Sequence, residues 1–243
     1  MCLAAIAFEA DPRWRLVIAA NRDEFHARPA APLARWSDGS GIIAGRDETA
    51  GGTWLGLTET GRLALVTNFR VPGFPLPDRP SRGRLVTDVL AGRDPVGAGL
   101  AAMNPCNLLV VEGAAASFVT NYPELATRQL EPGLHGLSNG ALAPPWRKTE
   151  QTMAALRGWL DGAAESSPEG LFAALADPRP TAESWEEGGP EPRLSSPFIR
   201  DPSYGTRCST VVLVDRSGAG TIIERRFTAH GQPAGEVAIA FRW

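Results

Sequence analysis

Short apolar strands stand at both ends of this chain, with helix-forming segments only between them, and that order constrains the fold more than any single motif. Cys2 to Phe8, Arg15 to Asn21, Ile42 to Gly45, Thr53 to Thr58 and Arg62 to Thr67 are apolar runs separated by Asp-Pro, Asp-Gly-Ser-Gly and Thr-Gly turn signals. Two hairpins are the simplest connection. Helical spacing follows over Gly83 to Ala91 and Pro95 to Met103, after a Pro-rich loop from Pro72 to Pro80. A second strand pair, Asn107 to Glu112 and Ala116 to Asn121, leads to a short strand at Thr127 to Leu130 and to helices at Trp146 to Leu160 and Pro168 to Leu175. Asp177 to Pro202 is Pro-rich and acidic, a composition for a surface loop first and a flap over a site second. The chain then ends on Thr210 to Asp215, Thr221 to Arg226 and Glu236 to Arg242, strands that must pair with earlier ones. Two stacked sheets covered by helices, an α+β layered fold, satisfy that order.

With 243 residues and 43% hydrophobic content, the chain can bury a sizeable core, and residues 1–243 read as one domain. A formal charge of -3 supplies no basic field for nucleic acid or an anionic membrane, which leaves a small molecule as the expected partner. No run of eighteen apolar residues predicts a transmembrane segment. The apolar start meets Glu9 and Asp11 with no basic region before it, so it does not read as a signal peptide. The cysteines are Cys2, Cys106 and Cys208, too few and odd in number for a disulfide framework, which predicts a reducing cytoplasm. His26, His135 and His230 lack metal-ligand spacing, and no metal site is expected. Of 24 basic residues only Lys148 is lysine, so any Schiff-base chemistry would rest on it alone.

Cys2 is the first candidate for chemistry. Removing Met1 would put a thiol and a free α-amine on one residue, and an α-amine titrates at about 7.7–8.0, low enough to act as a base at cellular pH. Taken alone, a cysteine at position 2 is better read as an apolar strand residue. Asn21-Arg22-Asp23-Glu24 closes the second predicted strand and would lie near Cys2 in a hairpin, where Asp23 could bind or orient the amine. The competing account is a solvated charged turn. His26 offers a Cys-His dyad that ranks below the α-amine scheme. Gly136-Leu137-Ser138-Asn139-Gly140 matches G-x-S-x-G, but Pro144 and Pro145 interrupt the helix that a nucleophile elbow needs, so a Gly-rich turn is expected. Arg79 to Arg84 reads as a charged loop, and Trp54, Phe69, Phe74 and Trp146 are more often core than pocket lining.

Met1-Cys2, Asn21-Arg22-Asp23-Glu24, Gly51-Gly52-Thr53-Trp54-Leu55-Gly56 and Thr67-Asn68-Phe69-Arg70 together resemble the NRDE family, also called the transport and Golgi organization protein 2 family. The resemblance runs the length of the chain. It implies a four-layer αββα sandwich of the N-terminal nucleophile hydrolase type, with polar motifs ordered as in the choloylglycine hydrolase and penicillin V acylase group. Carried over by position, Cys2 is the nucleophile, Asp23 the aspartate near the amine, Asn68 and Asn121 the two asparagines and Arg207 the late arginine. Asn21, Arg22, Trp54 and Phe69 are the accompanying substrate-binding candidates. The acylase pattern has an arginine two residues before Arg22, where this chain has Ala20; positions 20 and 22 share a strand face, so Arg22 would supply the guanidinium from a shifted place. The implied activity is hydrolysis of a linear C–N amide in a small, acyl-bearing molecule, with no required cofactor. The alternative implied by the same resemblance is a noncatalytic protein that carries haem, lipid or acyl-CoA in the same pocket. No C-x-x-C-H attachment site is present, so haem would be held reversibly.

Overall fold

A computed structural model describes residues 2–95, 97, 99–162, 167–182 and 189–243. β1 (Cys2–Phe8) and β2 (Trp14–Phe25) open the chain. β3 (Ala30–Arg35), β4 (Ile42–Asp47), β5 (Leu55–Thr58), β6 (Arg62–Asn68), α1 (Arg82–Leu90), β7 (Cys106–Glu112), β8 (Ala115–Thr120) and β9 (Ala126–Gln129) follow. β10 (Gly133–Leu137), α2 (Arg147–Asp161), α3 (Glu169–Leu175), β11 (Tyr204–Asp215), β12 (Ala219–Phe227) and β13 (Pro233–Arg242) complete it. The chain divides into two compact units, one of residues 1–27 and 132–241, the other of residues 28–131 with 242–243.

In the first unit the strand order is β10-β1-β2-β11-β12-β13, so the terminal strands join the sheet of the opening hairpin, with β11 paired to β2, as expected of strands that must pair with earlier ones. Strand alternation sorts the side chains between two faces. Ala5, Ala7, Val17, Ala19, Val211 and Leu213 pack against Leu156 and Leu160 of α2 and Leu171, Phe172 and Leu175 of α3. Cys2, Ala4, Ile6, Ile18, Ala20 and Val212 occupy the other face and are also buried. The second unit is an antiparallel meander in the order β3 to β9. Ile42, Ala44, Ala64, Val66, Cys106 and Leu108 on one face meet Leu85, Val86, Val89 and Leu90 of α1.

Four expectations need correction. β2 does not stop at Asn21 but continues to Phe25, because β11 stays paired beside it, Thr206 with Asp23 and Tyr204 with Phe25. The charged tetrad is therefore strand and not turn. A helix over Pro95 to Met103 reduces, among the described residues, to a 3₁₀ turn at Leu100–Ala102 that begins after Gly99 at φ 85°. β3 and β10 carry little apolar alternation and went unpredicted; β3 holds Pro32 at the edge of its sheet, where a missing N–H costs no ladder bond. Within Asp177 to Pro202, residues 183–188 lie outside the described ones, while Leu194, Ser195, Ser196, Phe198 and Ile199 are buried. Leu194 to Ile199 is thus core and not surface loop, whereas Pro178, Arg179 and Pro180 are exposed.

The Gly51-Gly52-Thr53-Trp54 motif has a packing cause. Gly51 sits at φ 76°, and a Cβ on Gly52 would fall 2.4 Å from the backbone carbonyl carbon of Gly83. Thr53 N–H donates to Gly83 O at 3.2 Å, so the second glycine lets the loop touch the start of α1. Gly52→Ala should therefore lower stability by about 1–3 kcal/mol, the range for overpacking. A urea midpoint equal to wild type would refute this.

Candidate active site at the head of the first strand

The opening hairpin places Cys2 directly across from Arg22, and Arg22 in turn lies across from Cys208 on β11. Cys208 faces Arg226 on β12, so four neighbouring strands present a continuous Cys-Arg-Cys-Arg row. Ala20 pairs with Ala4, away from the thiol, and the register thus gives Arg22 the position beside Cys2. Arg22 is 9% exposed. It has a long ion pair to Glu24 at 3.7 Å, while its Nη1 is buried with no hydrogen-bond acceptor among the described residues. Burial pushes the Cys2 thiol above its ordinary value, opposed in part by Arg22 and by the Asp23 backbone amide. Cys106 is raised to about 12 by burial, and Cys208 is raised well above its usual range by burial and by Glu224.

Asn21 and Asp23 point to the opposite face, toward the helices. Asn21 is fully buried: its Nδ2 donates to Leu175 O at 2.8 Å and Pro197 O at 2.9 Å, and its Oδ1 accepts from Ser209 Oγ at 2.6 Å. A side chain so engaged is a structural brace, which leaves it little capacity for a substrate. Asp23 Oδ1 accepts from Thr206 Oγ1 at 2.7 Å, and Thr206 Oγ1 accepts from Ile199 N–H at 2.9 Å. Burial raises the Asp23 carboxyl, while Lys148 is the leading charge that holds it down.

The backbone nitrogen of Cys2 donates to Asn139 Oδ1 at 2.9 Å. Asn139 follows β10, which runs antiparallel to β1, and is fully buried. Neither Asn139 nor Lys148 was among the sequence-derived site residues. The signals were present in the G-x-S-x-G pentapeptide and in the single lysine. The glycines of that pentapeptide make room for neighbours: a Cβ on Gly136 would lie 2.4 Å from Thr149 Cγ2, and one on Gly140 would lie 2.6 Å from Trp146 Nε1. The segment is not a nucleophile elbow.

Arg207 occupies the register shift between Thr206 and Cys208, and its Nη1 donates to Phe25 O at 3.0 Å and His26 O at 3.1 Å. Burial first, then Arg22 and Arg226, lowers its guanidinium from the ordinary range. His26 Nε2 lies 3.0 Å from Asp201 O and so has a partner other than the thiol. Trp54, Asn68, Phe69 and Asn121 belong to the second unit. Asn68 ends β6 opposite Cys106, and Phe69 stacks obliquely on Tyr122 with centroids 5.0 Å apart. Trp54 is half-buried, and its carbonyl accepts from Val66 N–H. Asn121 Oδ1 accepts from Cys106 N–H at 2.8 Å, and its Nδ2 donates to Leu100 O at 3.0 Å and Met103 O at 3.2 Å. Its amide ties down the 100–106 loop. Among the described residues no three of His, Cys, Asp and Glu converge to hold a metal ion, and no helix is long and apolar enough to cross a membrane.

The profile of the Transport and Golgi organisation 2 family matches residues 1–229. The Transport and Golgi organization protein 2 homologs of Bos taurus and Homo sapiens are each 34% identical, over 93% of this chain and 92% of their own. The Drosophila melanogaster protein is 26% identical over 96% of this chain and 95% of its own. Among solved structures, a mutant conjugated bile acid hydrolase from Clostridium perfringens superposes with a TM-score of 0.53 at 10% identity, covering 98% of this chain and 92% of its own. The Caenorhabditis elegans N-acylethanolamine-hydrolyzing acid amidase ortholog gives 0.51 at 10% identity, covering 87% and 92%. Both have the N-terminal nucleophile hydrolase fold, and that α+β fold is the one this chain adopts.

Proposed function

The chain belongs to the Transport and Golgi organisation 2 family, and from that premise we propose that it is a cytoplasmic cysteine amidohydrolase acting on a small, acyl-bearing nonpeptide amide. The observation that carries this reading is the hydrogen bond from the Cys2 nitrogen to Asn139 Oδ1. An acceptor there would hold the α-amine of a processed chain in place as the base for its own thiol. The amine takes the thiol proton, sulfur bonds to the amide carbonyl carbon, and the C–N bond breaks as the amine passes that proton to the leaving nitrogen. Water then cleaves the thioester, releasing the carboxylic acid and restoring the thiol. Arg22, across the strand pair from Cys2, is the donor assigned to the substrate. Asp23 is assigned to the α-ammonium. The two solved structures named above carry hydrolase titles, which lends the reading support by fold alone.

The test is the intact mass of protein purified from its native host, followed by a panel of N-acyl amides. Loss of one methionine with acid and amine released in equal amounts is the expected result. A chain that retains Met1 and turns over nothing on the panel would overturn the reading.

One observation favours a second reading. Burial raises the Cys2 thiol, a direction that suits a binding pocket more than a nucleophile. A noncatalytic carrier of haem, lipid or acyl-CoA would follow. Haem titration is then expected to yield a Soret band that one cysteine or histidine substitution removes, and a flat titration discards the haem branch.

A further inference from the structure

The only lysine of the chain is fully buried, although it stands in the first turn of an otherwise amphipathic helix. A buried ammonium costs several kcal/mol unless an opposite charge compensates it. Lys148 Nζ donates to Leu194 O at 3.1 Å, but a neutral carbonyl leaves the charge itself unbalanced. α2 packs on the sheet face that carries Ala5, Val17 and Val211. Asp23 shares that face, since Asn21, two residues before it, reaches the end of α3. The other buried carboxylate of this unit among the described residues, Glu224, pairs in register with Thr210 on the opposite face. The segment from Leu194 to Ile199 binds both ends of this seam: Leu194 O takes Lys148, Pro197 O takes Asn21, and Ile199 N–H meets the Thr206 hydroxyl that holds Asp23.

We propose that Lys148 is a positioning residue whose ammonium, enclosed on the helix-covered face of the sheet, holds Asp23 in its ionised form beside Cys2. The proposal rests on the hydrolase reading only for the use made of that charge. Among the described residues, Lys148 from α2 and the Thr206 hydroxyl from β11 act on Asp23 from its own face, and Arg22 and the Cys2 thiol act on it from the other side of the sheet. α3 and the Leu194 to Ile199 segment offer only backbone groups to the bonds described above. Without Lys148, burial would act on Asp23 with its leading opposing charge removed and would favour the protonated carboxyl. Ionised Asp23 raises the Cys2 thiol, so its neutralisation would let the thiolate form at lower pH.

The experiment follows the pH dependence of iodoacetamide alkylation, assigned to Cys2 by peptide mass, in the full chain. Lys148→Met and Asp23→Asn are each expected to move the profile toward lower pH, and the double variant no further than Asp23→Asn alone. A Lys148→Met profile equal to wild type, an Asp23→Asn profile equal to wild type, or additive shifts would each overturn the proposal. Should Lys148→Met fail to fold, recovery of the fold in the double variant supports the pairing. Failure of the double variant beside a folded Asp23→Asn assigns Lys148 to its Leu194 bond alone and sinks it. Alkylation reads the thiol and not turnover, so a protein that hydrolyses no amide can still pass this test.

Discussion

Cys2→Ala is expected to abolish hydrolysis of any amide that the wild-type protein turns over, by a factor on the order of 10⁴ or more, the scale seen when a nucleophile is removed from a unit that acts together. Stability should change by about 1 kcal/mol or less, because the substitution keeps the backbone nitrogen that bonds to Asn139 and trims only the thiol at the edge of the core. Both measurements are needed. Lost turnover with an unchanged urea midpoint assigns the thiol to chemistry, whereas lost turnover in an unfolded variant says nothing of the nucleophile. Residual activity near the wild-type level would exclude Cys2 from bond cleavage. A second readout removes dependence on rate: the wild-type protein, stopped early in turnover, should carry the acyl mass on the Cys2 peptide, and Cys2→Ser should build that ester more slowly because a hydroxyl needs more activation than a thiol. Cys106 and Cys208 provide internal controls. Both are buried, and neither carries an α-amine to take its thiol proton, so acylation there is not expected.

The alternation of apolar residues carried the opening hairpin, the meander strands that are rich in Val and Leu, and the closing strands, since each has a buried face that writes a period of two into the sequence. Cys2 and Arg22 were legible as neighbours because β1 and β2 join through a short connection that sets Phe8 opposite Leu16, and counting back along both strands brings Cys2 opposite Arg22. Three kinds of information were not local. The face on which Asn21 and Asp23 lie depends on β11, which arrives about 180 residues later and extends β2 through its charged end. Asn139 reaches Cys2 only because β10, a Gly-rich edge strand with little apolar pattern, adds to β1. The burial of Leu194 to Ile199 was hidden by a proline-rich composition that usually marks solvent. Its polar groups are satisfied by Lys148, Asn21 and Thr206, which are partners no reading of the segment itself could supply.

Asn21→Leu is expected to cost about 3–5 kcal/mol of stability, the largest loss of any substitution considered in the tetrad. Leucine keeps the branched shape of asparagine, and its extra bulk accounts for only part of the loss. The rest comes from polar groups left behind. Leu175 O and Pro197 O would each lose a donor, and Ser209 Oγ would lose an acceptor, all in buried positions. An orphaned buried group costs about 1–3 kcal/mol, and water cannot reach all three without opening the seam between β2, α3 and the Leu194 to Ile199 segment. The measurement is the urea midpoint at a fixed m-value, since a changed slope would report a loosened native state in place of a simple loss of stability. Asn21→Leu/Ser209→Ala should recover part of the loss, because it removes the stranded hydroxyl while leaving the two carbonyls. Were Asn21 instead a substrate-binding residue, its replacement would weaken binding and leave the midpoint within about 0.5 kcal/mol of wild type. The first residue of the tetrad would then serve the ligand, whereas the bonds it makes place it in the scaffold that keeps Arg22 and Asp23 on opposite faces of one strand.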